Sequence, residues 1–151
     1  MRSRSRSRLA NDAWEALLTA HAALMRQFAA DGIWHEVSMR EYDVLYTLSK
    51  CPTPVRIGEL YQHVLLSQPA LSRMVDRLVE RGLVERSPDP TDGRAVRLAL
   101  TGAGRARQRE VGLRHGVSVA RLVTAELTDD ELHQLEAICL KLAHQDKDLT
   151  T

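Results

Sequence analysis

Between residues 67 and 81 the chain sets small polar side chains beside a row of arginines. Ser67, Gln68 and Ser72 offer hydroxyl and amide groups that can hydrogen-bond the edges of nucleic-acid bases. The small Pro69 and Ala70 can approach a thymine methyl. Arg73, Arg77 and Arg81 recur at four-residue steps, which on a helix aligns them in one row. Arg73 stands nearest the N-terminal end and is the best placed of the three for a base or a phosphate. Asp76 and Glu80 form a neighbouring acidic row. Two readings of Arg77 and Arg81 therefore stay open, contact with DNA or pairing with those acids, and exposed pairs of that kind contribute only about 0–1 kcal/mol. A second group follows at Asp92-Gly93-Arg94. Asp-Gly is a turn dipeptide, and a guanidinium carried on a protruding ribbon can enter the narrow, negative minor groove. Asp92, two residues earlier, can hold that guanidinium in a fixed direction.

Catalytic groupings do not appear. The sequence contains no Ser-His-Asp pattern, glycine-rich phosphate loop or His-Glu metalloprotease motif, so neither an enzyme nor a cofactor is expected. Cys51 and Cys139 are far apart and lack metal-ligand spacing, which reads as two reduced thiols of a cytoplasmic protein. His21, His35, Glu41 and His115 make no compact ligand motif, so no metal site is assigned. With 151 residues and 44% hydrophobic content, the chain can bury a real core. Its formal charge of +1 leaves room for a basic face balanced by acids elsewhere. No apolar run reaches the length of a membrane span. The alternating Arg and Ser of residues 1–8 precede no apolar signal core and read as a disordered basic tail.

The elements that must position these groups are marked by periodicity and caps. Trp14, Leu17, Leu18, His21, Leu24, Met25 and Phe28 recur at helical steps, predicting a helix over about 11–30. Ser38 with Glu41 forms a capping box, flanked by Val37 and Tyr42 as a hydrophobic staple, and opens a helix that stops before Cys51-Pro52. A short helix follows over about 58–64. Ser67 then caps a helix with Pro69 in its first turn, ending at Arg81-Gly82-Leu83 with Gly82 in the left-handed position. Two helices joined by so short a link read as a helix-turn-helix. Beyond it the period becomes two, with strands at Leu83–Arg86 and about Ala95–Leu100 around a turn-rich Ser87–Arg94: a wing. Thr101 caps a long helix reaching about Glu126, and Thr128 with Glu131 opens a last one.

The predicted fold is mainly α with a small β-hairpin wing (α+β), a winged helix-turn-helix with dimerisation helices at both ends. Its divisions are the tail at 1–8, an N-terminal dimerisation helix at 9–37, a DNA-binding domain at 38–101 and C-terminal dimerisation helices at 102–151. The outer helices have apolar stripes that a chain this small buries best against a copy of itself. A two-fold homodimer would set its reading helices roughly 34–36 Å apart, matching a palindromic operator in double-stranded DNA. A winged helix can also serve protein contact alone, but that use would not need the protruding Arg94 or the small polar turn beside Arg73.

The runs Leu71–Arg86, Asp89-Pro-Thr-Asp-Gly-Arg94 and Leu98–Gly104 resemble the multiple-antibiotic-resistance regulator (MarR) family, and the helix order agrees over about residues 9–145. The resemblance implies a triangular homodimer with recognition helices in adjacent major grooves and wing arginines in the minor groove. It maps onto Arg73 and Arg77 of the helix and Asp92 and Arg94 of the wing. Gly93 departs from the pattern, since many members carry a further Arg there. The resemblance also implies repression of transcription and a small, often phenolic or anionic, effector bound between the winged helix and the dimer helices. Trp14, His21, Trp34, His35, Met39, Arg40, Tyr42 and His115 are the candidates to line that cleft, with Arg40 pairing a carboxylate and the aromatics stacking on a ring. Trp14 and His21 lie on the helix stripe, and a place in the core or the subunit interface is the stronger reading for both. Peroxide-sensing members place a reactive Cys in the first helix, which here has none.

Overall fold

Most helices described in this chain begin where a short polar side chain turns back onto the backbone. In the computed structural model, which describes residues 5–143, α1 spans Arg6–Ala29, and the amide of Arg8 donates to Ser5 Oγ at 3.3 Å. Three residues assigned above to a disordered tail thus form the helix's first turn, because Ser5 caps it and arginine is a good helix former. The rest of that tail, residues 1–4, and the end of the C-terminal segment, residues 144–151, lie outside the described residues. Helix α2 spans Met39–Lys50. Its capping box is reciprocal: Glu41 N donates to Ser38 Oγ at 3.2 Å, and Ser38 N donates to Glu41 Oε2 at 2.8 Å.

The next segment departs from the sequence reading. Val55–Arg56 form a short strand, β1, and α3 occupies Ile57–Tyr61. Two residues are too few to show an alternating pattern, so this strand leaves no periodic trace. Helix α3 ends early as Gln62 N and His63 N tighten onto Glu59 O and Leu60 O. Helix α4 spans Gln68–Glu80, with Ala70 N donating to Ser67 Oγ at 3.3 Å. Its exit is a full Schellman turn. Gly82 adopts φ 69°, its amide bonds Val79 O, and the Leu83 amide bonds Leu78 O, both at 2.9 Å. Strands β2 (Val84–Pro88) and β3 (Val96–Leu100) pair antiparallel with Val84 opposite Leu100, and β1 adds to the outer edge of β3 through Val55 opposite Leu98. The wing is therefore a three-stranded sheet in the order β1-β3-β2. Helices α5 (Gly102–Thr124) and α6 (Asp129–Ala143) complete the described chain. Thr128 and Glu131 make the second capping box, with Thr128 N donating to Glu131 Oε2 at 2.9 Å.

These elements sort into two compact units, one comprising residues 25–115 and the other the residues before and after it. The first holds the core. Val44, Leu45, Leu60, Leu71, Val75, Leu78, Val84 and Leu98 are essentially inaccessible, and Val37, Tyr42 and Val111 close over them. This unit extends beyond the predicted 38–101, and Trp34 and His115 pack with Tyr42 while Phe28 packs on His115. His115 lies 5.0 Å from Phe28, 5.4 Å from Trp34 and 5.5 Å from Tyr42 between ring centroids. In the second unit Leu9, Trp14, Leu17, Leu18, Val117, Leu135, Ile138, Leu140 and Leu142 stay exposed in the single chain.

One junction in the first unit is unusually tight. A Cβ at Gly104 would stand 1.9 Å from Leu83 O, a backbone atom that cannot swing aside. Thr101 fixes the same place, donating its hydroxyl to Gly82 O at 2.6 Å and accepting from Gly104 N at 3.0 Å. Gly104→Ala should cost about 1–3 kcal/mol through overpacking. A urea-unfolding midpoint unchanged from the parent chain would show that the junction gives way freely.

Candidate nucleic-acid interface

The capped start of α4 presents the predicted reading residues to solvent. Ser67, Gln68, Pro69, Ser72, Arg73 and Arg77 are exposed, and only Ala70 is partly covered. The opposite side of the helix puts Leu71, Met74, Val75 and Leu78 in the core, so burial fixes which face is offered. The unpaired amides of a helix start also carry partial positive charge, which suits an approach to phosphate.

The acids divide the arginines into held and free. Arg77 Nε lies 4.0 Å from Glu41 Oε1, and Arg81 NH1 lies 3.3 Å from the same oxygen. Arg81 also donates to the carbonyl of Glu36. Asp76 pairs instead with Arg86 of β2. The pairing considered above, Arg77 and Arg81 with Asp76 and Glu80, is thus corrected. The partner is Glu41, far off in sequence but brought alongside by the packing of α2 on the same core. Arg97 and Arg56 are both bound to Asp89. Of the arginines in α4, its C-cap and the β2–β3 hairpin, Arg73 and Arg94 alone have no acidic partner among the described residues.

The wing tip is built on a residue that the sequence reading passed over. Asp89 is buried, and its Oδ1 accepts from Thr91 N and Thr91 Oγ1, each at 2.8 Å, and from Asp92 N at 3.2 Å. Its Oδ2 accepts from Arg56 Nε at 2.8 Å and Arg97 Nε at 2.9 Å. Arg56 together with the Thr91 donors and Arg97 holds the Asp89 carboxyl well below the usual carboxylate range. Arg97 continues to Pro54 O at 3.1 Å. Asp92 has a different task from the predicted one. Its Oδ1 accepts the backbone amide of Arg94 at 3.1 Å, fixing the turn and leaving the guanidinium to point freely. An Asp-Gly turn gives the carboxylate a nearby amide to bind before any side chain is in reach.

Within the unit of residues 25–115, four of the effector candidates gather around Trp34. Tyr42 and His115 share the aromatic cluster, where Trp34 Nε1 donates to Phe28 O at 2.6 Å and His115 Nδ1 is buried without a hydrogen-bond partner. Burial pushes the Tyr42 phenol up, so it is neutral near pH 7. Met39 and Arg40 line an open hollow with Trp34, Met74 and Arg77, and Trp34 joins it to the cluster, its ring centroid 5.8 Å from that of Tyr42. Trp14 and His21 are exposed on α1 within the other unit, and His35 borders a small cleft beside Arg107 and Glu110. Burial and the Glu59 charge raise the Cys51 thiol, whose Sγ donates to Thr47 O at 3.4 Å, which disfavours the thiolate. Among the described residues no three of His, Cys, Asp or Glu gather as a metal site, and no helix is long and apolar enough to cross a membrane.

A capped helix-turn-helix followed by an antiparallel wing defines a winged-helix protein. Comparison with known proteins narrows the class. Residues 35–95 match the model of the MarR family. The chain is 35% identical to the multiple antibiotic resistance protein MarR of Escherichia coli over 109 residues, covering 71% of this chain and 74% of that protein. A solved structure of a mutant MarR from E. coli complexed with operator DNA superposes with a TM-score of 0.73 at 26% identity, covering 93% and 99% of the two chains. The PcaV transcriptional regulator of Streptomyces coelicolor, solved with its natural ligand, superposes with a TM-score of 0.63 at 25% identity over the full length of both. The chain belongs to the MarR family of transcriptional regulators, which bind DNA and are not enzymes.

Proposed function

We propose that this regulator is a repressor that binds a palindromic operator in double-stranded DNA as a homodimer and is released by a small anionic or phenolic effector. Ser67, Gln68, Pro69, Ala70, Ser72, Arg73 and Arg77 enter the major groove. Arg94 enters the minor groove from a tip shaped by Asp92. The observation that carries this reading is that Arg73 and Arg94, on the two elements a winged helix offers to DNA, have no acidic partner among the described residues, while their neighbours are tied to acids. The exposed apolar side chains of α1, α5 and α6 are the surface for dimerisation, and the compartment that fits this role is the cytoplasm. The E. coli relative complexed with operator DNA and the ligand-bound PcaV support the two halves of the proposal.

The hollow beside Trp34, Met39 and Arg40 also offers a route to release. Arg77 forms part of its wall and is only loosely held at 4.0 Å from Glu41. An anion seated there by Arg40 would compete with phosphate for Arg77. Trp14, His21, Tyr42 and His115 are the remaining candidates for effector contact.

Anisotropy titration against the DNA flanking the protein's own gene, with salt varied, tests the reading. Binding should depend on the palindrome and weaken steeply as salt rises, since phosphate contacts release bound cations. An absence of binding at low salt, to that DNA and to random-sequence duplexes, would overturn it. Within the operator, Arg73→Ala should cost about 1–3 kcal/mol per contact and relax preference at one position. A uniform loss on all sequences would make Arg73 a phosphate contact only.

A further inference from the structure

The link between α3 and α4 exposes an apolar side chain that neither the fold nor the proposed contacts use. Leu65 is 91% exposed, more than any other large hydrophobic residue among those described. Its neighbour Leu66 is partly buried against the core, so of the two adjacent leucines one is turned inward and Leu65 is turned to solvent. Leu65 stands two positions before Ser67, the cap of the helix proposed to enter the major groove. On the two helices that this link joins, Ile57 and Tyr61 of α3 and Gln68 and Ser72 of α4 line one shallow apolar depression. Apolar side chains thus adjoin the polar reading residues Gln68 and Ser72.

Two features identify the occupant. Between Glu59 and Asp76 the chain carries no acidic residue, so no carboxylate of the link or of the first two turns of α4 repels a phosphate backbone. The major groove displays one apolar group, the thymine C5-methyl, and small or aliphatic side chains recognise it by contact. We infer that Leu65 packs on a thymine methyl beside the bases facing Ser67 and Gln68, making it a specificity residue for one thymine in each half-site. Loss of such a contact removes about one methyl's worth of burial per half-site, a change of roughly fourfold in affinity each. This inference rests on the operator-binding role proposed above.

The test uses the full-length protein and an operator recovered by selection from random-sequence duplexes. Each thymine is replaced in turn by uracil, which lacks only the methyl. One symmetry-related thymine pair should weaken binding about tenfold or more when replaced. Leu65→Ala should weaken binding to the thymine operator by a similar factor and lose its response to that replacement alone. Because Leu65 is almost fully exposed, the variant's melting temperature should match the parent's. If Leu65→Ala binds as the parent does, or weakens binding while every uracil response persists, the inference falls and operator binding stands. If Leu65→Ala instead shifts the dimer equilibrium with DNA responses unchanged, Leu65 belongs to a protein contact and the inference falls. If selection recovers no bound sequence, the operator-binding reading falls with it.

Discussion

Arg94→Ala should weaken operator binding by at least about 30-fold while leaving fold and dimer intact. In the free protein the Arg94 side chain has no ionic partner among the described residues, and the turn is held by its backbone amide on Asp92. Truncation therefore removes no contact that stabilises the wing. In a two-fold complex each protomer loses one contact, and two losses of about 1–3 kcal/mol compound. Arg94→Lys separates shape from charge. Lysine keeps the charge but is more strongly hydrated and enters a narrow groove less readily, so it should recover nonspecific affinity and little of the operator preference. Equal operator affinities for the parent and Arg94→Ala, measured by anisotropy at fixed salt, would remove the minor-groove role.

Asp89→Asn should do more damage to the molecule itself. One carboxylate oxygen serves Arg56 and Arg97, and the other organises Thr91 and Asp92. An amide can accept from one side only and leaves two guanidiniums close together without a counter-charge. The melting temperature should fall by several degrees, and operator affinity should fall with it because the tip loses its shape. The pH dependence gives a sharper signature. The Asp89 carboxyl is depressed in the folded state, so its stabilisation is complete above the unfolded value of about 4 and is lost as pH falls toward the folded value. The gap in urea midpoint between parent and variant should be constant from pH 7 to about pH 5 and shrink below about pH 4. A gap that persists unchanged at pH 2 would mean that the ionised carboxylate is not what holds the wing.

The contrast between these two residues also marks what the sequence made readable. Ser38 with Glu41, Thr128 with Glu131, Ser67 with Ala70, and Gly82 after α4 all act within a few positions along the chain. Local backbone chemistry determines them, so the helices and the hairpin can be read from the residues alone. Asp89 meets Arg56 across 33 positions, and Arg81 meets Glu41 across 40. Nothing in the spacing of those residues signals that they will touch. The short β1 strand is hidden for a related reason, since its identity comes only from pairing with β3. The same limit explains the effector candidates. Their residue types can be read from the chain, but the placing of Met39, Arg40, Tyr42 and His115 around Trp34 is a matter of packing.

The clamp at Gly104 has a consequence for how the winged helix comes apart. Thr101 and Gly104 bind the two residues that close α4, Gly82 and Leu83, and Leu83 is also where the hairpin departs. Both legs of the wing are therefore tied to the exit of the recognition helix, while its far end is tied by Asp89. A partial opening that frees the hairpin must also break the Schellman turn, and one that frays the end of α4 must release the hairpin. The two reading elements should behave as a single cooperative unit. Holding either one on DNA would then protect the other from local unfolding, so that the wing steadies the helix even at sites where its arginine touches nothing specific.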